Sequence, residues 1–258
     1  MLLEQIWTSF VGLLVFTIEV FASIGGGNVA IGIIGFTISL RLLLLPLTLG
    51  SMRSNRAMQE LQPLIKEINK RYETKPGQRL SREKEKTAQK QQEVMALYRE
   101  HGVNPAAGCL PVAIQIPIFF AVYGAVSSLA SSFASVTGLA ANNSRDGILW
   151  LTSLARPDPL FVLPILMMLF QFMTTRMSIP RGGGADGQQR WLNSIMQFTP
   201  LIFGFFAFQF PAGPVIYWVT TSLFSLVLQF FITGWGSLAD LPGLKFLPEK
   251  KRKKGTST

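Results

Sequence analysis

The residues best placed to do chemistry in this chain are polar side chains set inside long apolar runs. Arg41 lies in TISLRLLLLPLT (37–48), and Thr37 sits one helical turn before it on the same face. Gln115 interrupts PVAIQIPIFF, and Tyr217, Trp218, Thr220, Thr221 and Ser222 fall in PVIYWVTTS. An unpaired arginine at the centre of a bilayer costs about 2.5–3.5 kcal/mol. The apolar runs hold no Asp or Glu near mid-depth to neutralise Arg41. A water-filled pocket lined by Thr, Gln, Ser and Tyr is the cheaper solution, because polar groups in spans face a bundle interior or an aqueous cavity. The alternative is snorkelling to the cytoplasmic face past Pro46, which asks the side chain to reach across roughly ten residues towards Met52. A fixed cation in such a pocket attracts anionic or polar groups; it does not itself make or break bonds.

No catalytic constellation accompanies it. An intramembrane protease needs a Ser with His or Lys, a pair of Asp, or a metal motif such as H-E-x-x-H. The chain has one histidine, His101, placed at the end of a polar helix before Gly102 and read as a solvated terminal residue. Its one cysteine, Cys109, has no partner for an intrachain disulfide and reads as a small packing residue. No Gly-rich phosphate loop precedes a lysine. We therefore expect no catalytic residue, no metal and no cofactor, and ATP-driven work is unsupported.

The elements that must position these residues are membrane spans. Of 258 residues, 48% are hydrophobic and only 15% charged, against roughly 25% charged in soluble domains. Segments 29–50, 106–130, 158–176, 192–210 and 213–233 match a bilayer crossing of roughly 17–25 residues. Helices are the plausible way to cross. Residues 1–25 are apolar too, but Glu4, Gln5, Thr8, Ser9 and Glu19 interrupt them. This pattern predicts an amphipathic helix lying at one membrane face, without the basic start and cleavage site of a signal peptide. Pro46, Pro111, Pro117, Pro164 and Pro200 each free a backbone carbonyl and bend their span, which suits a bundle open on one side.

The net charge of +10 is informative through its distribution. Twelve of the 24 Lys and Arg fall in 51–104, three in 176–190 and six in 245–254, leaving only Arg41, Arg145 and Arg156 elsewhere. The positive-inside rule puts those basic loops in the cytoplasm. The N-terminus is then outside and the C-terminus inside. Residues 51–104 read as a cytoplasmic helical hairpin: Met58, Leu61, Ile65 and Ile68 recur at helical spacing, Pro63 kinks the run, KPG makes the turn and 81–100 resume a helix. Residues 131–156 form an outer loop, 177–191 a cytoplasmic loop, and 236–258 a basic tail. Lys250, Lys251, Arg252, Lys253 and Lys254 cluster in that tail, where they serve either anionic lipid or RNA binding, or topology alone. The expected fold is an all-α polytopic membrane protein of five transmembrane helices, an N-terminal interfacial amphipathic helix and a cytoplasmic helical hairpin.

The segments ISLRLLLLPLTLGSMRSNRAMQELQPLIKEINKRY, VMALYREHGVNPAAGCLPVAIQIPIFFAVYGAV, DPLFVLPILMMLFQFMTTRMS and MQFTPLIFGFFAFQFPAGPVIYWVTTSLFSLVLQ are specific in combination. Through them the chain resembles the YidC-type membrane protein insertases of bacteria, which have relatives in mitochondria and chloroplasts. It is closer to the five-span form that lacks a large extracytoplasmic domain, and it has no N-terminal Cys lipobox. The resemblance covers residues 30–235 or so. It implies a groove open to the cytoplasm and the lipid but closed on the outer side, in the bacterial plasma membrane. Arg41 would attract the polar part of a client there, with Thr37, Gln115, Tyr217 and Trp218 as further groove positions. The client's apolar segment would slide past Phe119, Met196 and Phe198. The implied partners are nascent membrane-protein clients, the ribosome, anionic lipids and, as a further candidate, the Sec translocon. Two other functions fit the residues: a small anionic-solute transporter using Arg41, and a structural assembly factor. Five dissimilar spans lack the inverted repeats that favour a transporter.

Overall fold

A computed structural model describes residues 2–72, 80–104, 106, 110–137, 149–151, 153–178, 197–198, 200–235 and 238. Among them every extended regular element is helical and none is a strand. The helices are α1 (Leu2–Ile24), α2 (Val29–Leu43), α3 (Leu45–Glu60), α4 (Gln62–Arg71), α5 (Leu80–Glu100), α6 (Leu110–Thr137), α7 (Val162–Ser178), α8 (200–207) and α9 (Ala212–Thr233). They fall into two compact units. One comprises Met1–Pro46, Val112–Thr174 and Phe198–Leu228; the other comprises Leu47–Pro111, Thr175–Gln197 and Gln229–Thr258.

The first unit is built on a tight α1–α2 pair. Gly26 and Gly27 adopt φ of 74° and 85°, which side-chain-bearing residues avoid, and so turn the chain. Asn28 then caps α2, its Oδ1 accepting from the Ile31 N–H at 3.1 Å. The stripe Leu14, Ile18 and Ala22 of α1 is buried, as are Val29, Ala30, Ile33 and Phe36 of α2. The core continues into Ala121, Val122 and Ala125 of α6, Met167 of α7, and Val215, Ile216 and Tyr217 of α9.

By length and composition, Glu4–Ile24 and Ala212–Ile232 can each cross a membrane, and α2 with α3 would add a third as one bent span. Ala113–Val126 and Val162–Ser178 are shorter apolar helices. That α1 qualifies differs from the expectation of an interfacial helix with a polar face. Besides its buried stripe, α1 exposes Ile6, Phe10, Leu13, Phe16, Val20 and Ile24. Its hydroxyls are also spent inside the helix. Thr8 donates to the carbonyls of Glu4 and Gln5 at 2.9 and 3.0 Å, and Thr17 to that of Leu13 at 2.7 Å. These threonine hydroxyls thus add little polarity to the helix surface, while Glu4 and Glu19 remain exposed on it.

Prolines act in two ways. The expected 29–50 segment breaks at Leu44, whose N–H still bonds the Leu40 carbonyl at 2.9 Å. Pro46 has no N–H and its ring would clash with the preceding turn, so the helix restarts with Pro46 in the first turn of α3. At Pro63 the chain only kinks. Leu61 stays near helical φ and ψ, and the bonds Leu61 N–H to Ala57 (3.2 Å) and Ile65 N–H to Leu61 (3.0 Å) carry the ladder through.

In the second unit Leu61, Ile65 and Ile68 are buried, and α4 pairs with α5 through Arg71 and Glu93 at 2.7 Å. A hydrogen bond from Tyr72 to the same Glu93 pushes the Tyr72 phenol above its ordinary pKa. Gly102 (φ 63°) ends α5 in a Schellman motif, with Val103 N–H bonding the Tyr98 carbonyl at 2.8 Å and Gly102 N–H that of Arg99 at 3.1 Å. His101 is exposed, one ring nitrogen 2.9 Å from the Leu97 carbonyl.

The close α1–α2 packing yields a test. A Cβ at Gly32 would lie 2.5 Å from the Ile18 carbonyl oxygen and 2.9 Å from the Ala22 Cβ, whereas one at Gly12 meets nothing within 4 Å. Gly32→Ala should therefore lose about 1–3 kcal/mol from overpacking, read as a lower thermal midpoint in detergent. Gly12→Ala should be neutral or slightly stabilising. A Gly32→Ala protein as stable as its parent would contradict the packing.

Candidate functional site

Three helices of the first unit each bring one polar side chain to a common point. Arg41 comes from the last turn of α2, Gln115 from the second turn of α6 and Tyr217 from the second turn of α9. Arg41 Nη2 donates to Gln115 Oε1 at 2.5 Å, and Gln115 Nε2 donates to the Tyr217 hydroxyl at 2.8 Å. Tyr217 is fully buried, while Arg41 and Gln115 are half-buried. Thr221 stands one turn after Tyr217, within electrostatic reach of its hydroxyl, but its own Oγ1 makes no hydrogen bond of good geometry.

The decisive feature is the charge balance. Arg41's partners, Gln115 and Tyr217, are neutral. The ion pairs Arg56 with Glu60 and Arg71 with Glu93 do not include it. A guanidinium carries five N–H donors, of which the bond to Gln115 uses one, at Nη2. The arrangement fixes the direction of one positive charge without cancelling it.

The other anticipated residues divide. Thr37 is fully buried and donates to the Ile33 carbonyl of its own helix at 2.6 Å, so it does not join the trio. Trp218 is half-buried and packs on Phe119 at a ring-centroid distance of 5.0 Å and on Phe203 at 5.3 Å. Phe119 also meets Phe120 and Phe210, each at 5.7 Å. An aromatic wall thus stands beside the polar trio, because Trp218 follows Tyr217 and Phe119 lies one turn after Gln115. Phe198 is 61% exposed, in keeping with Leu201, Ile202, Phe205 and Phe206 of α8. Met196, Lys250, Lys251, Arg252, Lys253 and Lys254 lie outside the described residues.

Two polar features went unread in the sequence. Ser222 of α9 donates to Gln171 Oε1 of α7 at 3.2 Å, a second polar tie in the same unit. Asp158 is 3% exposed and accepts from the Trp150 indole N–H (2.9 Å) and from the backbone of Leu160 (3.0 Å) and Leu163 (2.7 Å). The adjoining carbonyls of Arg156 and Leu154 accept from the Ala212 and Gly213 N–H groups at 2.8 and 3.0 Å. One loop therefore satisfies the free N–H groups that open both α7 and α9. The signal was available: an aspartate just before an apolar run is a helix-start pattern. Among the described residues no three His, Cys, Asp or Glu side chains gather to hold a metal ion.

A family model described as "60Kd inner membrane protein" matches residues 20–237, which include Arg41, Gln115 and Tyr217. The chain belongs to the 60Kd inner membrane protein family. Membrane protein insertase MisCA of Bacillus subtilis is 34% identical over 235 residues, or 91% of this chain and 78% of that protein. Membrane protein insertase YidC 1 of Listeria monocytogenes is 35% identical over 211 residues, or 81% of this chain, and the match spans 66% of that relative's length. The crystal structure titled "Active YidC insertase crystal structure with the first transmembrane domain resolved" shares the fold with a TM-score of 0.62 at 26% identity, over 87% of this chain and 46% of that one. Both of these relatives are named membrane protein insertases.

The bridge through Gln115 can be tested in isolation. Gln115→Leu removes the acceptor of Arg41 and the donor to Tyr217 together. Leaving two half-buried or buried groups unpaired costs about 1–3 kcal/mol, so the thermal midpoint in detergent should fall. An unchanged midpoint would show that the trio contributes no structural order.

Proposed function

We propose that this chain is a membrane protein insertase and chaperone that moves single-span and few-span clients from the cytoplasm into the bilayer without covalent catalysis. The observation that carries this reading is the uncancelled charge of Arg41, held by neutral Gln115 and Tyr217. A carboxylate partner would have made a closed structural pair. Neutral partners leave the guanidinium able to draw an acidic or polar client segment into an otherwise apolar bundle. The aromatic wall of Phe119, Trp218 and Phe203 then offers the client's apolar segment a surface on which to move. Partitioning of that segment into lipid, and the membrane potential acting on acidic residues, supply the driving force.

In this proposal the chain crosses the membrane five times, with its N-terminus outside and its C-terminus in the cytoplasm. The crossings are 29–50 with its break at Leu44, 106–130, 158–176, 192–210 and 213–233. The support is the crowding of 12 of the 24 Lys and Arg into 51–104 and six into 245–254. Helix α1 rests at the outer face. There its exposed Glu4 and Glu19 stay hydrated while Phe10, Leu13 and Phe16 meet the acyl boundary. The hairpin of 51–104 receives clients, and the tail from Lys250 to Lys254 binds the ribosome or anionic lipid by charge. The Sec translocon is a further candidate partner.

Purified protein in liposomes, given a single-span client with an acidic outer tail, tests the reading. Arg41→Ala should cut insertion roughly tenfold, equivalent to about 1.4 kcal/mol, with little loss for a neutral tail. Arg41→Lys should retain part of the activity. Gln115→Glu should mimic Arg41→Ala, because it neutralises the charge while keeping the guanidinium in place. Solute flux without insertion would point to a transporter. Neither flux nor insertion would point to an assembly factor.

A further inference from the structure

Helix α3 touches three other segments through side chains that donate to backbone carbonyls. Ser54 donates to Asn104, in the link between α5 and α6, at 2.9 Å. Arg56 Nη1 donates to Ile232, in the last turn of α9, at 3.0 Å. Gln59 Nε2 donates to Ser178, the last residue of α7. All these groups belong to the second compact unit. Arg56 and Gln59 are three residues apart, so they occupy one face of α3.

The chemistry of helix ends explains the arrangement. The last four carbonyls of a helix have no intrahelical donor, and the end carries partial negative charge. At α9 the partner is a guanidinium, which answers both needs at once. At α7 it is a neutral amide. Arg56 is 42% exposed and is steered by Glu60, one turn on, at 3.4 Å. The contact is therefore a specific bond at a partly wet site and not a packing contact that any large side chain would supply.

We propose that Arg56 and Gln59 are positioning residues: from one face of α3 they clasp the C-terminal ends of α7 and α9 at a fixed separation, and insertion depends on that separation. The functional half rests on the insertase reading; the clasp itself does not. Because α3 runs directly into α4, the same clasp ties the base of the polar hairpin to these two helix ends.

The test uses the full chain with Cys109→Ser and nitroxide labels on Ser178→Cys and Phe231→Cys. The Ser178 bond is made by its backbone carbonyl, and Phe231 is 67% exposed. Pulsed electron resonance should give a narrow distance distribution in the parent and a broader one in Arg56→Met/Gln59→Leu. Insertion in liposomes should fall about threefold to tenfold, with recovery in Arg56→Lys, which restores a cationic donor. An unchanged distribution overturns the clasp. A broadened distribution with undiminished insertion, in a preparation where Arg41→Ala does impair insertion, overturns the positioning role and leaves the insertase reading standing. If the parent does not insert clients, that reading fails, and the distance measurement still decides the clasp. If the double variant does not fold, Gln59→Glu decides: it keeps the size and removes the N–H donor, so it should broaden the distribution, and an unbroadened one overturns the proposal.

Discussion

A positive charge held among apolar helices, with no counter-ion among the described residues, constrains everything around it. Arg41 could have been neutralised by a carboxylate, at the cost of its usefulness, or removed, at the cost of its field. It is held instead by the dipoles of Gln115 and Tyr217, which fix its direction and leave its charge intact. Three helices must then meet at one point. The glycine turn at 26–27, the closeness of Gly32 to Ile18 and the core of Ile33, Ala121, Val122 and Val215 are what bring them there. The polar trio is the purpose of that packing, and the packing is the condition of the trio.

Helix α9, which carries Tyr217, and its neighbour α7 are tied at both ends by polar groups. Asp158 and the carbonyls of Leu154 and Arg156 satisfy the N-terminal N–H groups of α7 and α9. Arg56 and Gln59 satisfy carbonyls at their C-termini. A backbone N–H left unpaired beside the buried Asp158 would cost about 1–3 kcal/mol, and a carbonyl left unpaired at the partly wet Arg56 site less.

Much of this was legible in the sequence, for a physical reason. A polar residue in an apolar run is expensive, so its presence flags a site, and Arg41, Gln115 and Tyr217 stood out on that ground. Burial against a neighbour is not written in the run itself. Thr37 carries the same flag as Gln115, yet its hydroxyl turns back on Ile33 and it takes no part. Thr8 likewise turns its hydroxyl back on its own helix, donating to the Glu4 and Gln5 carbonyls. Gln171 and Ser222 are each unremarkable alone and meaningful only once α7 and α9 are side by side. Pro46 announced a bend; that the helix would end at Leu43 and restart depends on local geometry that the residue order leaves open.

An uncancelled charge at Arg41 requires that water reach it. In a Cys109→Ser background, an Arg41→Cys variant should react with a membrane-impermeant maleimide added from the cytoplasmic side. A Phe205→Cys variant, at a position 65% exposed on apolar α8, should stay unlabelled because it faces lipid. Labelling at 41 and not at 205 is the predicted result. An Arg41→Cys protein as unreactive as the Phe205→Cys one would mean that the arginine is a buried strut in a dry bundle, which contradicts a hydrated cation at that position.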